Sequence, residues 1–276
     1  MDLSRSTVFV PGATSGIGLA LALRLQARGS TVIVGGRRTA LLDEIVAAHP
    51  GIDAVRVDTA DPDSIEAARL EVLERHPDLD AVVAVAGIMQ AEDWNSDDFL
   101  AAAERTVTTN LLGPIRLAAA FLPHLRARAE AGAGAAFVTV SSGLAHVPLA
   151  STPTYNATKA AIHRLSEGIR LQLEPAGVQV IEIVPPAVRT AIVPGQEDSP
   201  IAMPLDAFAD ETIGLLATRP DAHEILVEGV KFLRFAETSG AYDATVARLN
   251  ASDPHATDPH ATAPHAARPA VRASSS

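Results

Sequence analysis

Short runs of consecutive apolar residues alternate along the chain with longer stretches in which apolar positions recur every three or four residues. The first kind suits a strand buried on both faces, and the second a helix with one buried side. Strands are predicted near Thr7–Val10, Thr31–Val34, Ala54–Val57, Ala81–Val85, Ala136–Val140 and Gln179–Val184, with helices near 16–28, 39–48, 62–75, 96–129, 154–174 and 204–217. Strict alternation of this sort predicts an α/β fold in which one doubly wound parallel sheet is covered by helices on both faces. The pattern stops after Asn250, where Asp-Pro-His-Ala-Thr repeats give way to a Pro, Arg and Ser end with almost nothing to bury. The expected organisation is therefore one folded domain over 1–250 and a low-complexity, disordered tail over 251–276. His255, His260 and His265 recur evenly in that tail, a pattern read as solvated rather than metal-binding; no metal site is expected.

Composition narrows the function classes. At 276 residues and 47% hydrophobic content the chain can bury a full core, and its formal charge of -11 argues against a general nucleic-acid or anionic-membrane surface. The absence of cysteine excludes disulfides, thiol catalysis and cysteine zinc sites. No early run has the form of a signal peptide and none approaches the length of a spanning helix, so a cytoplasmic protein is expected.

Two stretches carry the candidate chemistry. Pro11-Gly12-Ala13-Thr14-Ser15-Gly16-Ile17-Gly18 joins the first strand to the first helix, the place where backbone N–H groups and a helix N-terminus receive a pyrophosphate. One strand later, Gly35-Gly36-Arg37-Arg38 supplies arginines where an acidic residue would select a free ribose hydroxyl, so NADP(H) is favoured over NAD(H), with NAD(H) still admitted. Asp58, closing the third strand, can accept from an adenine amino group or cap the turn that follows. The second stretch, Ser151 to Ile162, opens a helix on which Tyr155 and Lys159 share a face. A neighbouring cation favours phenolate, and bringing a phenol from about 10 to neutrality asks about 4 kcal/mol of Lys159 and any bound cofactor. Ser142 ends another apolar run, and Asn110 interrupts an apolar helical stretch. Pro114, four residues on, deprives the Asn110 carbonyl of its helical donor and leaves it a water site or a simple kink.

Together these positions resemble the short-chain dehydrogenase/reductase family, in its compact form, over residues 5 to about 235. Val184-Pro-Pro-Ala-Val188 and the segment 227–236 are similar to its DltE-type branch. The resemblance implies a Rossmann-type sheet and a hydride exchange with a carbonyl or secondary alcohol. It assigns Gly12, Gly16 and Gly18 to the cofactor turn and Asn110, Ser142, Tyr155 and Lys159 to catalysis. Tyr155 would be acid or base at the substrate oxygen, Ser142 would hold that oxygen, and Lys159 would bind the nicotinamide ribose. Thr14, Ser15, Ile17, Gly87, Pro185, Val188 and Thr190 complete the implied cofactor set, with Thr190 on the nicotinamide amide. The family also implies a homodimer or homotetramer.

Three departures stand out: Pro11 in place of a threonine, Ala84-Val85-Ala86-Gly87 in place of Asn-Asn-Ala-Gly, and Pro186 in place of a glycine. The first two remove side-chain hydrogen bonds around the cofactor. A silent nucleotide-binding sensor of the same fold and a sugar-nucleotide epimerase share part of this pattern. Loss of the tyrosine or lysine would favour the former, and a different glycine spacing with a larger C-terminal portion the latter. The segment from Thr190 to Pro204 is expected to form a mobile lid. Val147 and Leu149 suggest a mostly apolar substrate pocket, with His146 on the same loop either touching substrate or facing solvent.

Overall fold

The computed structural model describes residues 6–253. Seven parallel strands form one sheet in the order β3-β2-β1-β4-β5-β6-β7. They are β1 (Thr7–Pro11), β2 (Thr31–Gly36), β3 (Ile52–Arg56), β4 (Ala81–Ala84), β5 (Ala136–Val140), β6 (Gln179–Val184) and β7 (Glu224–Leu226). Side chains alternate between the two faces of each strand, and the core divides accordingly. Val8, Val10, Val32, Val34, Val83, Val138 and Ile183 pack on one side against Leu21 and Leu25 of α1 (Gly16–Ala27), Leu42 and Ile45 of α2 (Thr39–Ala48), and Phe208 and Ile213 of α7 (Leu205–Thr218). Phe9, Ile33, Val55, Val82, Phe137 and Val180 pack on the other against α3 (Pro62–Arg75), α5 (Gly113–Glu130) and the end of α6 (Pro153–Leu173).

Strand order reverses at β1: the chain runs outward to β3, then returns to place β4 on the other side of β1. Ligands of such sheets bind beyond the carboxyl ends of the strands at this reversal. The glycine turn after β1 and the Ala84–Gly87 segment after β4 meet there.

The expected helix over 96–129 is in fact two. The helix α4 (Phe99–Val107) runs through a π-helical turn at Thr108–Leu112 into α5. Pro114 cannot donate to the Asn110 carbonyl, and the ladder widens there so that the Gly113 N–H reaches the Thr108 carbonyl. The strand β7, the single turn α8 (Lys231–Arg234) and the helix α9 (Tyr242–Ala251) were not anticipated. Among the described residues no helix is long and apolar enough to cross a membrane. The tail expected after 250 lies, from residue 254 and with His255, His260 and His265, outside the described residues.

Candidate active site

A single cleft of about 1650 Å³ opens over the carboxyl ends of the strands. That exceeds the few hundred to about 1,000 Å³ typical of one small ligand, so a dinucleotide and a substrate can share it. One end is built by glycines whose missing side chains are required. Gly12 adopts φ +99, and a Cβ there would meet the Ala86 nitrogen at 2.5 Å; a Cβ at Gly18 would overlap the Gly12 carbonyl. Ser15 caps α1 without a side-chain bond to the first turn, which carries no acidic residue. The helix start is thus shaped and charged for an anion. These features fit the pyrophosphate of a dinucleotide.

The departures from the family pattern are compensated by backbone. Pro11 offers its carbonyl to the Ala86 N–H at 3.1 Å, while the N–H groups of Gly12 and Ala13 both donate to the Gly35 carbonyl. The strands around the turn are therefore tied together without the threonine and asparagine side chains. Pro186 lies in the cleft lining beside Pro185, Val188 and Thr190. The Thr190 side chain sits opposite Gly16, 3.5 Å from where a Cβ would stand.

Both arginines after β2 reach this end. Arg38 donates to Thr14 Oγ1 at 2.7 Å and Ser15 Oγ at 3.3 Å, and Arg37 Nη1 lies 3.9 Å from Asp58 Oδ2. Asp58 Oδ1 caps the turn through the Ala60 N–H at 3.0 Å, and the residue also lines the cleft. Asp58 thus holds the turn and faces the cleft at once.

Ser142, Tyr155 and Lys159 converge at the other end of the glycine turn, each less than a tenth exposed. Burial pushes the Tyr155 phenol up to about 12, against a smaller opposing effect of its hydrogen bond with Ser142. Lys159 donates to the Val140 carbonyl at 2.8 Å, its Nζ 5.5 Å from the Tyr155 ring centre. Burial lowers the lysine to about 8, and the field of Glu182 works in the opposite direction. Without a cofactor, desolvation is the larger influence on both groups, outweighing the Ser142 bond at Tyr155 and the field of Glu182 at Lys159. Tyr155 is firmly protonated at neutral pH without a cofactor.

Asn110 is 1% exposed and makes its bonds through its side chain. Its Oδ1 accepts from the Ile88 N–H at 2.9 Å, and its Nδ2 donates to the Ile88 carbonyl at 2.8 Å and to Thr158 Oγ1 at 3.4 Å. The amide pins the segment after β4, where a Cβ on Gly87 would come within 3.4 Å of Asn110 Oδ1 and 3.7 Å of Lys159 Nζ.

The remaining wall is mostly apolar: Leu144, Leu149, Ile192, Ile201, Met203, Phe232, Leu233 and Leu249 line it. Sequence reasoning missed the last three and Arg248, which stacks over Phe232 at 4.9 Å; for Arg248 and Leu249 the spacing of Thr245, Val246 and Leu249 is the signal that could have revealed helix α9. Asn250 fixes α9 to the substrate-side loop, accepting from the Ala150 N–H at 2.7 Å and donating to the Pro148 carbonyl at 3.1 Å. The segment 190–204 crosses the cleft, held by Gln196 to the Val188 carbonyl at 2.7 Å and by Arg189 to the carbonyls of Ser199 and Ala202. His146 neither faces solvent nor lines the cleft. It is half-buried and packs edge-on against His163 at 4.7 Å. Burial, followed by the nearby charge of Arg234, lowers it to about 4.

The family profile described as short chain dehydrogenase matches residues 6–200. The chain belongs to the short-chain dehydrogenase family. This short-chain dehydrogenase is 35% identical to the uncharacterized oxidoreductase DltE of Bacillus subtilis across 92% of the chain and the whole of that relative. It is 31% identical to cis-4-hydroxycyclohexanecarboxylate dehydrogenase of Sinomonas cyclohexanicum, over 86% of the chain and 92% of the relative. A short chain dehydrogenase from Burkholderia cenocepacia J2315, solved with NADP, superposes with a TM-score of 0.75 at 25% identity, covering 90% of the chain and 99% of that structure. The short-chain dehydrogenase described here is thus an NAD(P)-dependent oxidoreductase.

Proposed function

We propose that the enzyme is cytoplasmic and NADP(H)-dependent, and that it interconverts a carbonyl and a secondary alcohol with Tyr155 exchanging the proton at the substrate oxygen. The observation that carries this reading is the convergence of Ser142, Tyr155 and Lys159 at one end of a cleft whose other end holds the glycine turn and two arginines. When bound, the nicotinamide cofactor supplies or accepts the hydride. Gly12, Thr14, Ser15, Gly16, Ile17 and Gly18 would cradle its pyrophosphate, Arg37 and Arg38 a 2'-phosphate, and Asp58 the adenine. Gly87, Pro185, Val188 and Thr190 would flank the nicotinamide half.

Tyr155 starts as a phenol, which suits proton donation to a carbonyl oxygen during reduction. Ser142, hydrogen-bonded to Tyr155, orients that oxygen. Lys159 would hold the ribose and stabilise the phenolate left after transfer, while Asn110 keeps the backbone beside it in place. Orientation and one proton transfer suffice for this chemistry. Alcohol oxidation needs Tyr155 to lose its proton first, so it is expected to gain rate at alkaline pH.

The test is NADPH oxidation by the full chain against a panel of aldehydes, ketones and quinones, with the alcohol product identified. NADPH binding without turnover of any of them would favour a nucleotide-binding sensor instead.

Assembly belongs to the same reading. Leu100, Leu112, Ile115 and Leu171 are exposed on α4, the π turn, α5 and α6, the helices through which the family pairs subunits. At least a dimer follows, and a monomeric mass by light scattering at micromolar concentration would overturn it. The catalytic unit is assigned to residues 1–250, so truncation after Asp253 is expected to preserve NADPH affinity.

A further inference from the structure

Glu182, in the middle of β6, is 0% exposed. It lies in register with Thr139 on one side and Glu224 on the other. A buried carboxylate is costly unless it is paired and hydrogen-bonded. Its partner is His163, whose Nδ1 stands 2.9 and 3.2 Å from the two carboxylate oxygens. His163 is third in a series with Tyr155 and Lys159, each one helical turn apart on the buried side of α6.

The charged groups around this pair come from every neighbouring element. Glu224 of β7 lies 3.6 Å from the same His163 nitrogen, and Arg234 of α8 forks onto Glu224 at 3.0 to 3.2 Å. On α6 itself, Glu167 is 3.7 Å from His163 Nε2 and paired with exposed Arg164, and Arg170 bonds the Val180 carbonyl. The loop after β5 contributes His146. Buried Glu182 and partly exposed Glu224 are thus met by one guanidinium and one imidazole. The bond to Glu182 raises His163, with Glu167 and Glu224 acting in the same direction against the opposing effect of burial. Of all these acids, Glu182 alone also reaches Lys159 with its field. Neither Glu182 nor His163 lines the cleft.

We propose that Glu182 and His163 form a buried charge couple that tunes the ionisation of Lys159 against the larger effect of burial, Glu182 favouring the ammonium and His163 drawing off part of that field. They are positioning residues, and their role rests on the proton transfer assigned above to Tyr155 and Lys159. A change in either charge passes to Lys159 with opposite sign. Neutralising Glu182 makes the ammonium easier to deprotonate; neutralising His163 makes it harder.

Lys159 and Lys231 are the two lysines of the sequence, so selective 13C labelling at the lysine ε carbon gives two NMR signals, and Lys231→Arg assigns them. The experiment titrates the cofactor-free full chain as wild type, Glu182→Gln and His163→Gln. The Lys159 midpoint is expected to fall by about one pH unit in Glu182→Gln and to rise in His163→Gln, within the range of a nearby charge. An unmoved midpoint in folded Glu182→Gln, or shifts of the same sign in both variants, would overturn the couple. Should Glu182→Gln fail to fold, His163→Gln decides alone, and an unmoved or lowered midpoint there overturns it. A parallel pH profile of NADPH-dependent reduction separates the two readings. Opposite NMR shifts without turnover of any carbonyl would remove the proposed function and leave the couple, whereas turnover with unmoved midpoints would do the reverse.

Discussion

Replacing Lys159 by Met should stabilise the cofactor-free protein while disabling it. The lysine is 5% exposed, and burial lowers it from 10.5 to about 8. At about 1.36 kcal/mol per pH unit, keeping the ammonium charged in the fold costs about 3 kcal/mol. Met fills similar space without charge but leaves the Val140 carbonyl without its donor, a loss of about 1 to 2 kcal/mol. The net gain is then about 1 to 2 kcal/mol, or roughly 2 to 8 °C in Tm for a domain of this size. The sign reverses the usual lysine case: the folded-state value lies below the unfolded one, so the unfolded chain binds more protons between about 8 and 10.5 and wild-type stability rises across that window. The advantage of Lys159→Met is therefore full below pH 8 and shrinks toward pH 10.5. Thermal unfolding followed by circular dichroism at pH 7 and above pH 10 measures both quantities. A Lys159→Met protein less stable than wild type at pH 7, with no convergence at high pH, would refute the claim that this lysine is held charged at the expense of the fold.

Arg37→Ala combined with Arg38→Ala should weaken NADPH binding at least about tenfold, since a charged hydrogen bond contributes about 1.5 to 3 kcal/mol, and should leave NADH affinity nearly unchanged. Fluorescence titration of both cofactors checks this, and equal affinities in the unmodified protein would sink the cofactor preference. Asn250→Ala removes the bonds to Ala150, Pro148 and Val246. It should cost about 1 to 2 kcal/mol of stability and raise KM more than it lowers kcat, because α9 walls the substrate side; an unchanged KM would show that this wall does not contact substrate.

The strands were legible because each is a short apolar run buried on both faces, and six of the seven stand close to where the pattern put them. The seventh, β7, has three residues and begins with Glu224, too short and too polar to register as a buried strand. The glycine turn was readable for a local reason: its conformation and close approaches admit no side chain, which the residues themselves announce. Helix 96–129 failed as one element because Pro114 was read as freeing the Asn110 carbonyl for a water or as a local kink, whereas the ladder widened over a whole turn. His146 was misplaced because its neighbour His163 is distant in sequence, and no periodicity in the loop points to it. The burial of Tyr155 and Lys159 was not legible for a related reason. The i, i+4 spacing shows that a lysine is near, but only the packed structure shows that both groups are desolvated and that Lys159 turns to the Val140 carbonyl. The same limit applies to the walls: Phe232, Leu233 and Leu249 enter the cleft through tertiary packing.

Turnover by Tyr155→Phe tests the central claim most directly. The change removes one hydroxyl and keeps the buried ring, so NADPH affinity and folding should remain near wild type, while no proton donor is left at the substrate oxygen. With a carbonyl accepted by the unmodified enzyme, and under conditions where chemistry limits the rate, kcat should fall at least about a hundredfold, the lower range of general acid catalysis. Retention of more than about a tenth of the wild-type rate would contradict the assignment of Tyr155 as the acid.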